Sequence, residues 1–179
     1  MRAFIAVDIP DDIKERLLDA AAVLPSNGIV PVKPEALHIT LHFLGELDAK
    51  GIASAKEALQ CLETKPFGVS FAGVSYFDSN FIKVVFAKVS RGAETLSAAY
   101  ASLSDELSGR GLVLESRAYT PHATIARVKY VADRDALIGA MSRLGGTEFG
   151  SFEVRSVALK ESVLSRLGPV YSTLDELQL

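Results

Sequence analysis

Cysteine is almost absent from this chain, and histidine is nearly as scarce: one of the first and three of the second in 179 residues. The single thiol, Cys61, excludes an internal disulfide and suits a reducing, cytoplasmic compartment. Its place inside a helical pattern reads as a small core residue rather than a nucleophile. No apolar run approaches the ~20 residues of a membrane span. The opening stretch from Met1 to Asp8 turns acidic too soon for a secretory leader. Basic excess is missing too. A net charge of −3 argues against broad tracking of long duplex nucleic acid, and leaves room for a local basic pocket holding one strand end. Gly145-Gly146 follows a helical pattern and fits a C-cap, with no strand-to-helix phosphate loop around it. That weakens any ATP-driven reading.

What remains is a chain with 49% apolar residues, enough to bury a good core. Residues 2–8 read as a first strand. Pro10 and Asp11 open a helix with Ile13, Leu17, Ala20 or Ala21 and Leu24 on one face. Residues 37–44 read as a strand, and Asp48 as the N-cap of a helix carrying Ile52, Ala55, Leu59 and Leu62. Residues 67–71 and 81–89, around the turn Asp78-Ser79-Asn80, read as a hairpin. A helix over 91–108, a short strand near 112–116 and a strand over 119–128 follow. Asp133 then opens a helix with Leu137, Met141 and Leu144. A hairpin-like pair, 149–163 and 170–177 around a turn at 166–169, closes the chain. Each half therefore runs strand, helix, hairpin, and the segments Phe67-Gly68 and Phe149-Gly150 even begin alike. The expected class is α+β: two pseudo-symmetric lobes, each an antiparallel-rich sheet with helices outside, around a central cleft. Residues 1–179 are expected to form one bilobal unit, with monomer as the default.

Two of the three histidines head the same phrase, His38-Ile39-Thr40-Leu41 and His122-Ala123-Thr124-Ile125. In a strand, residues i and i+2 point the same way, ~6.6 Å apart. Each phrase thus sets an imidazole beside a hydroxyl, with the intervening residues turned into the core. A lone strand histidine is more often structural, and threonine in a strand is ordinary. Two such phrases at equivalent points of two half-repeats are another matter. If they face each other across a cleft, two imidazoles and two hydroxyls surround a volume fit for one tetrahedral group. That answers the needs of phosphodiester hydrolysis. A neutral imidazole takes a proton from water while a protonated one gives a proton to the departing oxygen, and the threonines donate to the non-bridging oxygens. The scheme needs no metal and no cofactor.

Taken with Phe4-Ile5-Ala6-Val7-Asp8, Phe43-Leu44-Gly45, Pro121, Ala126-Arg127 and the stretches Ser162-Val163-Leu164 and Gly168-Pro169-Val170-Tyr171, these phrases resemble the two-histidine phosphoesterase superfamily. Within it the chain is most similar to the RNA 2′,3′-cyclic phosphodiesterases, also called 2′-5′ RNA ligases. The resemblance implies a bilobal α+β fold and hydrolysis of a 2′,3′-cyclic phosphate on an RNA end or small nucleotide to a 2′-phosphomonoester. It also implies His38 as proton donor to the leaving 3′ oxygen and His122 as base toward water. The two phrases themselves are interchangeable and do not order those roles. Ala123, Ile125 and Ala126 stand where the commonest form has Ile, Leu and Gly, conservative changes at inward or backbone positions.

Other residues carry two readings each. Simple alternation turns Arg127 away from the histidine face, and a bulge could bring it back. The resemblance supports a phosphate contact, against a plain surface arginine. Phe43 holds the matching position in the first phrase and could stack on a base at the cleft rim, although a core phenylalanine is the simpler expectation. His42, ~13 Å from His38 along a strand, is too far to share a metal ion and is expected at the cleft edge or in solvent. Arg117, Lys129 and Arg134 could form a modest basic rim or stand as solvated charges. Two alternatives to hydrolysis remain: reversible 2′-5′ RNA ligation by the same residues, and an RNA-end binding module without turnover.

Overall fold

The computed structural model describes residues 1–77, 81–115, 118–166 and 168–179. The expected turn at 78–80, Arg117, and Leu167 of the expected turn at 166–169 lie outside the described residues. In chain order the elements are β1 (Arg2–Asp8), α1 (Asp11–Ala22), β2 (Ile29–Pro31), a 3-10 turn (Pro34–Ala36), β3 (His38–Glu46), α2 (Ala49–Gln60), β4 (Phe67–Ser75), β5 (Val84–Arg91), α3 (Ala93–Gly109), β6 (His122–Val128), α4 (Arg134–Arg143), β7 (Glu148–Val154), β8 (Ser156–Ser165) and β9 (Gly168–Gln178). The class is α+β, as the sequence predicts.

The strands form one antiparallel sheet in the order β7-β4-β5-β6-β3-β1-β8-β9, with β2 added alongside β6. Its middle is the junction of the two histidine strands, where Ile39 of β3 pairs with Ala123 of β6. On one side lie β3, β1, β8 and β9, and on the other β6, β5, β4 and β7. The two lobes are halves of a continuous sheet. Only Arg155 separates Val154, in the outermost strand of one half, from Ser156 in the other. Two peptide steps span less than ~8 Å, so the sheet must curl until its ends approach each other.

That crossing explains where the expected repeat departs from the observed one. The stretch 149–163 runs as nearly continuous extended chain but changes partners at Arg155: β7 pairs with β4, whereas β8 pairs with β1 and β9. The alike segments at Phe67 and Phe149 are not symmetry mates. They are sheet neighbours, with Phe67 opposite Val154 and Phe71 opposite Gly150. The true correspondence is β1-α1-β3 with β5-α3-β6. The strand flanking β5 is β4, just before it in the chain, while the strand flanking β1 is β8, from the other end of the sequence. The repeat is permuted, which hides it from a linear reading.

The expected strand at 112–116 is absent from its described part. Residues 112–115 are irregular, and β6 is already flanked by β5 on one side and by β2 and β3 on the other, leaving no edge to join. Leu112 and Leu114 instead pack partly buried against the core.

The starts of α2 and α4 follow their caps. Asp48 accepts from the Gly51 amide at 2.8 Å and Asp133 from the Ala136 amide at 2.9 Å, each filling one of the orphan donors of a first turn. The buried stripes are Ile13, Leu17, Ala20 and Ala21 in α1, Ala55, Ala58 and Leu59 in α2, Leu96, Ala99, Leu103 and Leu107 in α3, and Leu137, Ala140 and Met141 in α4. They join Ile39, Leu41, Ala123 and Ile125 in one hydrophobic core. Cys61 is not in it. It caps the C-terminal end of α2, off the apolar stripe, exposed, and accepts a hydrogen bond from Arg110 Nη2 at 3.3 Å.

Candidate active site

The single bridge between Ile39 and Ala123 fixes the neighbourhood of four side chains. In an antiparallel pair, the residues flanking a bridge face each other in turn, so His38 stands beside Thr124 and Thr40 beside His122. All four are half-buried, while Ile39 and Ala123 are fully buried on the opposite face. Direct cross-strand neighbours lie ~5 Å apart and diagonal ones ~7–8 Å. The histidines occupy one diagonal and the threonines the other. That spacing admits a tetrahedral group with one hydrogen bond of ~2.8 Å on each side. The phrases do not face each other from opposing walls, as expected. They lie side by side on one floor.

Beyond the threonines both strands break alternation in the same way. Burial from each histidine onward reads half, buried, half, buried, buried, exposed. The cause is a β-bulge in each strand. Thr40 pairs with Ala6 and His42 with Ile5, leaving Leu41 without a partner on β1. Thr124 pairs with Phe86 and Ala126 with Val85, leaving Ile125 without one on β5. An extra residue inverts the faces of all that follow. Arg127 and Phe43 therefore return to the cleft face and line the cavity beside the threonines. Phe43 is 50% exposed, so the core expectation for it is overturned. The bulge turns His42 inward to 4% exposure, which overturns the solvent expectation for it, while it still lines the first cavity as the cleft-edge expectation had it. Its ring stacks on Tyr100 at 4.2 Å, and its Nε2 lies 2.9 Å from the Tyr100 carbonyl oxygen and 3.1 Å from Ser104 Oγ. Burial pushes its pKa down.

Each catalytic candidate imidazole is held between two aromatic rings. His38 packs 4.9 Å from Phe4 and edge-on, at 5.5 Å, to Tyr171. His122 packs 5.0 Å edge-on to Phe77 and 4.9 Å from Phe86. The two differ in electrostatics. His122 Nδ1 donates to the Thr120 carbonyl at 2.6 Å, which puts the lone pair of the neutral ring on Nε2. His38 is pushed down to about 4, first by burial and then by the Lys160 ammonium, with Lys14 and Arg127 adding to the fall and Asp8 opposing it. His122, bonded through Nδ1, and His38, reluctant to hold a proton, thus share the floor.

Two cavities of about 650 and 640 Å³ open from this floor and share Thr40, Phe43, Glu115, His122, Thr124 and Arg127. The first runs past Phe77, Tyr100 and Tyr119 toward Lys83, and the second past His38, Phe4 and Tyr171 toward Arg2. An apolar wall with convergent polar groups is the usual form of a small-ligand site. Sequence reasoning missed Lys83, Arg2, Phe77 and Tyr119, because each reaches the cavity through a long-range strand register or loop with no local signal. The expected rim residues Lys129 and Arg134 are exposed and line neither cavity. Among the described residues no three of His, Cys, Asp and Glu cluster closely enough to hold a metal ion. No helix among them is long and apolar enough to cross a membrane.

Known proteins resemble this chain over nearly its whole length. A family model described as the AKAP7 2′5′ RNA ligase-like domain matches residues 11–179. The RNA 2′,3′-cyclic phosphodiesterase of Methanocaldococcus jannaschii is 33% identical over 178 residues, covering 98% of this chain and 99% of its own. That of Archaeoglobus fulgidus is 35% identical over 176 residues, covering 97% and 98%. Among solved structures, TT0787 of Thermus thermophilus superposes with a TM-score of 0.80 at 30% identity, over 100% of this chain and 98% of the other. Escherichia coli LigT complexed with 3′-AMP gives 0.84 over 99% and 97%, and at 23% identity it speaks to the fold alone.

Proposed function

The chain belongs to the 2′5′ RNA ligase-like family, and from that premise we propose that it is an RNA 2′,3′-cyclic phosphodiesterase working by two-histidine acid–base catalysis. The observation that carries this is the Ile39–Ala123 bridge, which sets His38, Thr40, His122 and Thr124 around one phosphate-sized space. His122, its Nδ1 proton committed to the Thr120 carbonyl, draws a proton from water through Nε2. Water oxygen attacks phosphorus, the bond to the 3′ oxygen breaks, and His38 delivers the proton that oxygen needs. The product keeps a 2′-phosphate. Thr40 and Thr124 donate to the non-bridging oxygens as charge gathers there. Arg127 neutralises the same charge, and Phe43 offers a face on which a base can stack. No metal takes part, the substrate is an RNA end or small cyclic nucleotide, and residues 1–179 act as a single bilobal monomer.

The test is turnover of an RNA ending in a 2′,3′-cyclic phosphate, in excess chelator, by wild type, His38→Ala and His122→Ala, with products identified by mass. Each substitution is expected to cost at least ~10²-fold, with a 2′-phosphate as the wild-type product. Undiminished turnover in either variant removes the mechanism, and turnover abolished by chelator alone removes its metal independence.

A second reading, 2′-5′ ligation, draws on one further feature. Two cavities of similar size leave the floor in different directions, so a nucleoside can stand on each side of the phosphorus. An RNA 5′-hydroxyl then replaces water. Joining two RNA halves, one with a cyclic end, gives a 2′-5′ linked product only if this direction is served.

A further inference from the structure

Lys160 sits in β8 one strand removed from His38. β1 runs between them, with Asp8 opposite His38 and Phe4 opposite Lys160. The ammonium reaches along the sheet to bind both carboxylate oxygens of Asp8, at 2.6 and 2.7 Å. Its side chain is only 14% exposed, while that of Asp8 is 55% exposed. Such a pair is lopsided. Water still solvates the carboxylate, so the lysine is not needed to satisfy it, and a half-exposed pair adds little to stability. The ammonium, by contrast, is largely withdrawn from water, and Phe4, the cross-strand partner of Lys160, packs with Tyr171 and with the His38 ring. Charges in a partly buried region with little water feel one another strongly.

We infer that Lys160, clamped by Asp8, is a positioning residue that fixes a positive charge beside His38 and thereby governs when that imidazole carries a proton. Among the described residues, the charged and titratable groups around His38 are Asp8 on β1, Lys160 on β8, Tyr171 on β9, Arg127 and the diagonal His122 on β6, and Lys14 on α1, with Arg2 and Glu115 lining the same cavity. After burial, Lys160 exerts the largest influence on the His38 proton, greater than the opposing pull of Asp8. The clamp matters because a free lysine would swing toward a bound phosphate and neutralise it. Held in place, it keeps His38 neutral in the empty cleft. A phosphate anion arriving over the floor then offsets the ammonium and lets the imidazolium form where its proton is to be spent. This last step rests on the phosphoesterase reading; the control of His38 by Lys160 does not.

The experiment is an NMR titration of the His38 ring in the full chain without substrate. Lys160→Met is expected to raise the midpoint by about half to one pH unit. Lys160→Arg leaves it in place, and Asp8→Asn lowers it. The double variant Asp8→Asn/Lys160→Met, which leaves no unpaired carboxylate, also raises it and serves should the single variant misfold. A His38 midpoint unmoved, or lowered, by loss of the Lys160 charge in a folded variant overturns the inference. Turnover of a cyclic-phosphate RNA by the same variants reads the other question: the pH limb belonging to His38 shifts by the same interval. A shift in the titration with no wild-type turnover at all would sink the phosphoesterase reading while leaving the role of Lys160 intact.

Discussion

The two histidines are nearly equivalent in sequence and unlike in surroundings, and that difference makes their roles separable. With His38 pushed down to about 4, its imidazole is almost wholly neutral in the free protein at neutral pH. A proton donor in that condition gains effectiveness tenfold per unit as pH falls toward 4. A base in that condition is fully present at neutral pH and is lost only below about 4. The leaving group offers a second handle. An aryl phosphodiester expels an oxygen that needs no proton, so it relieves a missing acid and does nothing for a missing base. If His38 is the donor, His38→Ala loses ~10²-fold or more on RNA but ~10-fold or less on the aryl ester, while His122→Ala loses equally on both. The opposite pattern, measured as kcat/KM on the two substrates, exchanges the assignments. At this scale the sequence was legible in the phrases themselves. Parity placed His38, Thr40, His122 and Thr124 on one face without error. It failed one residue past each threonine, where Leu41 and Ile125 bulge. His42 and Phe43 then traded sides, and Arg127 came back to the cleft. Nothing in the local composition marks those bulges.

Elements were read well where their ends are written in side chains. Asp48 and Asp133 cap α2 and α4 as their spacing predicts. The start of α3 is different, because its N-cap is Gly92 at φ 86°, in the left-handed region, with no side-chain cap bond. A Cβ there would sit 2.4 Å from the Gly68 carbonyl oxygen of β4. Both facts come from β4 lying against the β5–α3 turn, which no window of sequence reveals. Gly92→Ala combines left-handed strain with a backbone collision and is expected to cost about 2–4 kcal/mol. Asp133→Ala, which removes one hydrogen bond, is expected to cost about 1 kcal/mol. For a chain of this length, each kcal/mol lowers the melting temperature by roughly 2–4 °C, so thermal unfolding should rank Gly92→Ala clearly below Asp133→Ala. Equal losses would mean that α3 and β4 separate at little expense.

At the level of the whole molecule, a sheet joined at its middle by one bridge looks divisible, and the covering helices say otherwise. α1 follows β1 in the chain but packs against β6 and β7 of the other half. Its Ile13 lies so near Gly150 of β7 that a Cβ there would come within 2.6 Å of the Ile13 side chain. β2 pairs with β6, and Val32 donates to the Ile125 carbonyl at 2.9 Å. From the opposite direction, the C-terminal strands β8 and β9 complete the first half and bear on α2. The first half needs both ends of the chain, and the second, though its strands β4 to β7 are consecutive, is completed by α1 and β2 from the first. Most strands were readable from composition, though not β2 or the break at Arg155, but strand order was not, since it depends on where the C-terminal hairpin returns. The expected consequence is one cooperative transition. Native-state hydrogen exchange should find Ile5 of β1 and Val85 of β5, both fully buried and in opposite halves, opening at the same free energy. A ligand spanning the seam should then protect both sites equally. A 2′-nucleotide at a hundred times its Kd would add about 2.7 kcal/mol, and it would do so at Ile5 and Val85 alike. Opening energies that differ between the two amides, or protection confined to one, would show two units that merely touch. The four side chains on the floor would then be held in register only while substrate is bound.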